Sequence, residues 1–150
     1  MTLVVVPVRY PLSKHSRATL SEAIRIAEER DAELTVLHVD LYQDGKEVTR
    51  TGLKRAVERE FGRLPTVRYV VRRGFLVEET ILDEVAAEAA DVVVIGAKQA
   101  SRWRRTIRKL FSDPDIESFL KGKLDATVIT VRADGKATEL ASADGGRDDP

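Results

Sequence analysis

Residues 3–8 read LVVVPV and residues 91–96 read DVVVIG, and these two runs decide the fold. Each is almost continuously apolar and rich in β-branched side chains, which favours a strand that is covered on both faces. Similar runs occur at residues 34–39 (LTVLHV), 67–72 (VRYVVR) and 127–132 (TVITVR), the last two with more polar side chains. Because strands covered on both faces are typical of parallel sheets, the five runs predict such a sheet.

Helical patterns separate the five runs. The apolar side chains with helical spacing are Leu20, Ala23, Ile24 and Ala27 in the first segment, Leu53, Val57, Phe61 and Leu64 in the second, and Val77, Ile81, Leu82, Val85, Ala86 and Ala89 in the third. Ser13 or Ser16 is placed to cap the first helix. Strands that alternate with helices predict an α/β fold, namely a single five-stranded parallel sheet with helices on both faces. We expect the Rossmann-like strand order 3-2-1-4-5.

Composition narrows the class of protein. The chain has 150 residues, 43% of them hydrophobic, with 25 basic and 25 acidic side chains that cancel. That length suits one domain, predicted at residues 1–132. Residues 133–150 contain five acids, two bases and little apolar surface, so we expect a disordered acidic tail.

The same counts exclude several kinds of site. The absence of cysteine rules out a disulfide scaffold and a thiolate metal site, and His15 and His38 lack ligand spacing, so no metal is expected. No apolar run is long enough to span a membrane, and the N-terminus lacks a leader pattern. We therefore expect a cytoplasmic protein, and the neutral total charge argues against nucleic acid as the partner.

A ligand of an open parallel sheet binds at the carboxyl ends of the strands, where the strand order reverses. Here that place lies between the first and fourth strands, with the end of the second strand beside it. The candidate crevice residues are Pro7, Val8, Arg9, Val39, Gly96, Lys98 and Gln99.

Three segments resemble the universal stress protein (UspA-like) family: VVVPVRYPLSKHSRATLSEAIRIAEERDAELTVLHV at residues 4–39, GFLVEETILDEVAAEAADVVVIGA at residues 74–97, and ATVITVR at residues 126–132. The resemblance implies a five-stranded parallel α/β domain that is usually dimeric, often through its last strand. It also implies a regulatory or protective role, and many members of the family bind ATP.

The family's ATP signature is degenerate in this chain. ATP-binding members carry an acidic residue after the first strand and a G-x2-G-x9-G-[ST] motif after the fourth. Here the acidic position is Arg9, the first glycine is Gly96 and the second is Gln99. The last two positions fall on Lys109 and Leu110, or near Pro114 and Asp115 if the extra residues before the last strand lie earlier. Because side chains block the approach of backbone to phosphate, we expect an altered or lost ATP pocket and no resident cofactor.

Residues 98–109 (KQASRWRRTIRK) contain six cations and no acid. Trp103, Ile107, Leu110 and Phe111 recur at helical spacing, so the segment is predicted to form a basic amphipathic helix. In one interpretation the cations form a solvated face. In a second, Arg104, Arg105 and Arg108 hold ATP or another phosphate ligand in place of the glycine loop. In a third, the segment binds an acidic protein, an anionic membrane surface or nucleic acid. The candidate partners are thus an anionic ligand or an acidic protein.

The strand predicted from Thr127 to Arg132 follows the last crossover and should lie at a sheet edge. Pairing with a second copy would cover that edge, so we expect a homodimer through this strand. In the alternative, the tail covers the edge.

No set of residues indicates catalysis. Ser13, His38 and Asp40 lack a nucleophile elbow, and the adjacent acids Glu78–Glu79 and Asp83–Glu84 are expected on solvated outer helix faces. The sequence therefore predicts a non-enzymatic regulatory or protective homodimer. The alternatives are a nucleotide- or phosphate-binding member that uses arginines and, last, a weak ATP hydrolase.

Overall fold

The structure, a computed structural model, describes residues 2–115 and 124–139. Its strands are β1 (Leu3–Pro7), β2 (Glu33–Leu41), β3 (Val67–Gly74), β4 (Val92–Gly96), β5 (Thr127–Val131) and β6 (Ala137–Glu139). Its helices are α1 (Lys14–Glu29), α2 (Arg50–Phe61), α3 (Val77–Glu88) and α4 (Ala97–Phe111), and a short 3₁₀ turn at Tyr42–Asp44 follows β2.

The strands form one sheet in the order β3-β2-β1-β4-β5-β6. All neighbours from β3 to β5 pair in parallel, so the predicted α/β class and the order of the first five strands are confirmed. The strand order reverses between β1 and β4. Pro7 is the last residue of β1, where the missing N–H costs least, and the next residue, Val8, donates its N–H to Leu37 at 2.8 Å.

The sixth strand was not predicted. β6 pairs antiparallel with β5, with Val131 opposite Ala137 and Ile129 opposite Glu139. Gly135 turns the chain between the two strands with a φ of 89°, which favours glycine. The prediction of an uncovered edge at residues 127–132 was therefore wrong, and the alternative is confirmed, because residues 137–139 of the predicted tail cover β5. The sheet also continues beyond the predicted boundary at residue 132, while the rest of the predicted tail, residues 140–150, lies outside the described residues.

Alternation along the strands produces two cores. Val4 and Val6 of β1 point into the core beneath α1 and α2, whereas Val5 points into the core beneath α3 and α4. All three are fully buried. The helices therefore cover both faces of the sheet, as predicted. The carboxyl ends of the central strands stay uncovered at one edge of the sheet.

Local capping fixes where the helices begin. Ser13 caps α1 by accepting the N–H of Ser16 at 3.0 Å, which settles the choice between the two serines. Thr49 caps α2 by accepting the N–H of Gly52 at 2.9 Å. α4 begins directly after β4, with Gly96 at its cap position and no side-chain cap. The first turn of α4 therefore lies at the point where the strand order reverses.

Candidate functional site

A crevice of about 820 Å³ opens at the carboxyl ends of β1, β2 and β4. The first turns of α1, α3 and α4 contribute to its walls. Seven of the ten predicted site residues line it, namely Pro7, Val8, Arg9, Val39, Gly96, Lys98 and Gln99. The structure therefore brings together the residues that the strand-end rule selected.

The predicted arginine clamp does not line the crevice. Arg104, Arg105 and Arg108 are exposed on α4 and are absent from the crevice wall. A helix has 3.6 residues per turn, so these side chains lie about two to three turns beyond the end of α4 that meets the strand ends. Arg102, which the prediction omitted, is the arginine of α4 that reaches the crevice.

The amphipathic character of α4 is as the sequence predicts. Ala100, Trp103 and Ile107 are buried, and Trp103 is only 1% exposed. The opposite face carries Arg104, Arg105 and Arg108, which make no ion pair with the described residues. α4 is therefore held to the sheet by apolar contacts, with a basic stripe on its outer side.

Glu78, in the first turn of α3, faces the crevice. Its Oε2 accepts hydrogen bonds from Gln99 Nε2 at 3.1 Å and from Arg102 Nε at 3.4 Å. Its side chain is only 14% exposed, so the expected outer, solvated position was wrong for this residue. The helical pattern locates the apolar stripe of α3, but the contact with α4 depends on how the two helices pack, which one sequence does not show.

Two buried polar side chains, His38 and Asp40, lie at the end of β2. His38 Nδ1 is 2.9 Å from the carbonyl oxygen of Val8, and since a carbonyl only accepts, Nδ1 carries the hydrogen. The other nitrogen, Nε2, lies 4.0 Å from Asp40 Oδ1. Asp40 Oδ2 accepts the N–H of Val48 at 2.9 Å. Both side chains therefore tie the loops around the crevice to the sheet.

The serines of the crevice are also engaged. Ser13 Oγ donates to Ser16 Oγ at 3.1 Å while it caps α1, and Ser16 Oγ accepts the N–H of Arg9 at 2.9 Å. The backbone of Arg9, at the position where ATP-binding relatives carry an acid, is thus fixed by α1. Both hydroxyls hold the loop between β1 and α1 in place.

A second polar cluster lies away from the crevice, between β3 and α3. Glu84 accepts from Arg72 Nε at 2.8 Å, and Glu88 pairs with Arg68 and accepts from Thr35 Oγ1 at 3.3 Å. Burial and the neighbouring Glu84 carboxyl raise the pKa of Glu88 to about 7. Burial acts in the same upward direction on Glu84, but its hydrogen bonds with Glu88 and Arg72 outweigh burial and lower its pKa. Glu84 is buried, so its expected solvated position was wrong.

Neither a metal cluster nor a spanning helix is found in the part of the chain that the structure describes. Across residues 2–115 and 124–139, no group of three or more His, Asp and Glu side chains is arranged to hold a metal ion. No helix within those ranges is both long and apolar enough to cross a membrane.

With this geometry established, comparison with known proteins assigns the family. Residues 1–113 match the model described as the universal stress protein family. The chain belongs to this family. The fold agrees with that of the universal stress protein UspA from Lactobacillus plantarum, at 21% identity and a TM-score of 0.53, over 87% of this chain and 97% of that one.

A second solved universal stress protein, described as a complex with cAMP, is 14% identical, with a TM-score of 0.48 over 87% of this chain and 96% of its own. No curated protein matches the chain at a significant level. The match of residues 1–113 to the family model confirms the predicted membership of the universal stress protein family.

Proposed function

We propose that this universal stress protein is a non-enzymatic regulatory or protective domain that acts through binding, and that its nucleotide crevice is altered. The observation that carries the proposal is the wall formed by α4. Gln99 stands where ATP-binding relatives have the second glycine, and Lys98, Gln99 and Arg102 all line the crevice. Side chains there keep backbone amides away from a phosphate chain, so the residues present do not fit ATP in the manner of the family.

The non-enzymatic part of the proposal is supported by the polar groups of the crevice. Among the polar side chains of the crevice, His38, Asp40, Ser13 and Ser16 each make a hydrogen bond that holds the surrounding loops. These contacts support a framework role for the four side chains.

Native mass spectrometry of the purified protein tests this proposal, since it reports retained ligand and subunit number together. We expect no bound ATP, and no rise in the midpoint of thermal unfolding when ATP or AMP is added. Retained ATP, or a clear rise in the midpoint of thermal unfolding at about 1 mM ATP, would contradict the altered crevice. Phosphate release from ATP above that of a heat-denatured control would contradict the non-enzymatic role.

The second candidate function is binding of a phosphate ligand by side chains. It is favoured by the crevice volume and by Arg9, Lys98 and Arg102 in its wall. If a polyphosphate stabilises the protein, Arg102→Gln should abolish the stabilisation. The matched control is Arg105→Gln, on the same helix but outside the crevice, which should leave it unchanged. Equal effects of the two substitutions would assign the binding to the outer stripe of α4.

The proposal includes a homodimer, but the two copies do not pair through β5, because β6 covers that strand. β6 is now the edge strand of the described sheet, and its three residues are exposed. An exposed strand edge supports pairing with a second copy. Light scattering at roughly tens of micromolar should give twice the mass of the chain, and a single-chain mass there would overturn this part. The cytoplasmic location stays a prediction, as does an acidic protein partner for the basic stripe of α4.

A further inference from the structure

We propose that Glu78 is a specificity-determining residue of the crevice, and that its carboxylate excludes polyphosphate ligands. The inference rests on the proposed function, because it explains how the altered crevice selects against the ligand class of its relatives.

The position of Glu78 is fixed from two helices. Its backbone belongs to the first turn of α3, where the helix dipole stabilises a negative charge. Its carboxylate crosses to α4 and takes one donor from Gln99 and one from Arg102. All three side chains line the crevice. Two of the donors that α4 directs into the crevice, Gln99 and Arg102, are therefore already bound to an anion of the same chain.

The cost to a phosphate ligand follows from this contact. A polyphosphate bound beside α4 would either displace the carboxylate from Arg102 or lie against it. Like charges held side by side at a binding site oppose binding, and the opposition is stronger when water is largely excluded. Glu78 is mostly shielded from water, because its side chain is 14% exposed. Removal of the Glu78 charge should therefore strengthen the binding of anions in the crevice.

A purely structural role for Glu78 makes a different prediction. If the carboxylate only joined α3 to α4, its neutralisation would change stability but not ligand preference. Glu79 separates the two cases, since it lies in the same turn of α3, lies 4.0 Å from Lys109 of α4 and does not line the crevice. Substitution of either glutamate removes one negative charge from the same helix end. Only Glu78 should alter binding.

The test is isothermal titration of sodium tripolyphosphate into the wild type, Glu78→Gln, Glu78→Asp and Glu79→Gln, with thermal unfolding as the check on folding. We expect Glu78→Gln to bind at least roughly tenfold more tightly than the wild type at low salt. That gain should shrink as salt is added, because screening weakens it. Glu78→Asp, which keeps the charge, and Glu79→Gln should bind within about twofold of the wild type.

The proposal is overturned if Glu78→Gln binds tripolyphosphate no more tightly than the wild type, including the case in which neither binds. It is also overturned if Glu79→Gln gains as much as Glu78→Gln, which would indicate an effect of total charge alone. Should Glu78→Gln fail to fold, Glu78→Ser removes the same charge and is judged by the same comparison. Tight ATP binding by the wild type would refute the proposed altered crevice, whereas this inference depends only on the ratio between variant and wild type.

Discussion

Arg72 Nε donates a hydrogen bond to Glu84 Oε1 at 2.8 Å, and this ion pair joins β3 to α3. One turn further along α3, Glu88 contacts Arg68 of β3 and Thr35 of β2. Both carboxyl groups are poorly exposed, with side chains 6% and 11% accessible. Two arginines therefore hold two neighbouring acids against the sheet, and the cluster should make stability depend on pH.

The first prediction concerns Glu88, whose pKa rises from its usual value of 4.5 to about 7 in the folded chain. A carboxyl with a raised pKa binds its proton more tightly when folded, so its contribution to stability is full below about pH 4.5 and is lost as the pH rises through about 7. Glu88→Gln keeps a neutral side chain at every pH. Relative to the wild type, its free energy of unfolding should therefore increase by on the order of 1 kcal/mol between about pH 5.5 and pH 8.5.

Urea unfolding at several pH values measures this difference. Glu28→Gln is the matched control, because it also replaces one glutamate by glutamine and Glu28 is exposed on α1. A difference between Glu88→Gln and the wild type that does not change with pH would contradict the raised pKa.

The second prediction concerns Gly74, the last residue of β3. A Cβ at this position would overlap the hydroxyl of Thr80, which is itself fixed by donating to the carbonyl of Leu76 at 2.7 Å. Gly74→Ala should lower the free energy of unfolding by about 1–3 kcal/mol through overpacking. The double variant Gly74→Ala with Thr80→Ala should recover part of the loss. Chemical denaturation measures both, and no recovery in the double variant would show that the clash lies elsewhere.

The third prediction concerns Trp103, which anchors α4 in the core. Trp103→Ala should destabilise the protein by about 3–5 kcal/mol through the cavity that it leaves. Trp103→Phe should cost much less, because it keeps an aromatic ring and removes an indole N–H that has no hydrogen-bond partner within residues 2–115 and 124–139. Since Trp103 is the chain's one tryptophan, circular dichroism is the appropriate probe for both variants. Equal losses would place the indole ring outside a close-packed environment.

Periodicity predicted the architecture because burial leaves a strong pattern. Continuous apolar runs located β1, β2 and β4, and the stripe that includes Trp103 and Ile107 identified the buried face of α4. The strand-end rule then located most of the crevice wall. These parts of the fold depend on which residues avoid water, and one sequence records that directly.

The missed features depend on geometry between elements. Six cations on one helix look equivalent in sequence, but only Lys98 and Arg102 lie close enough to the start of α4 to reach the crevice. Glu78 resembles any first-turn acid until α3 packs against α4. β6 has the sequence ATE, with neither an apolar run nor β-branched alternation, so its pairing with β5 leaves no local signal.

The contact of Glu78 with Arg102 also has a consequence for dose response. Glu78 belongs to the same polypeptide as Arg102, so the effective concentration of its carboxylate at Arg102 stays constant. The concentration of a free anion, in contrast, varies with cellular conditions. The Glu78 carboxylate therefore competes with a free anion to the same extent in every molecule, and only a concentrated or multivalent anion can displace it. The crevice would therefore bind an anion with a reduced apparent affinity, and the size of that reduction would be set by the chain itself.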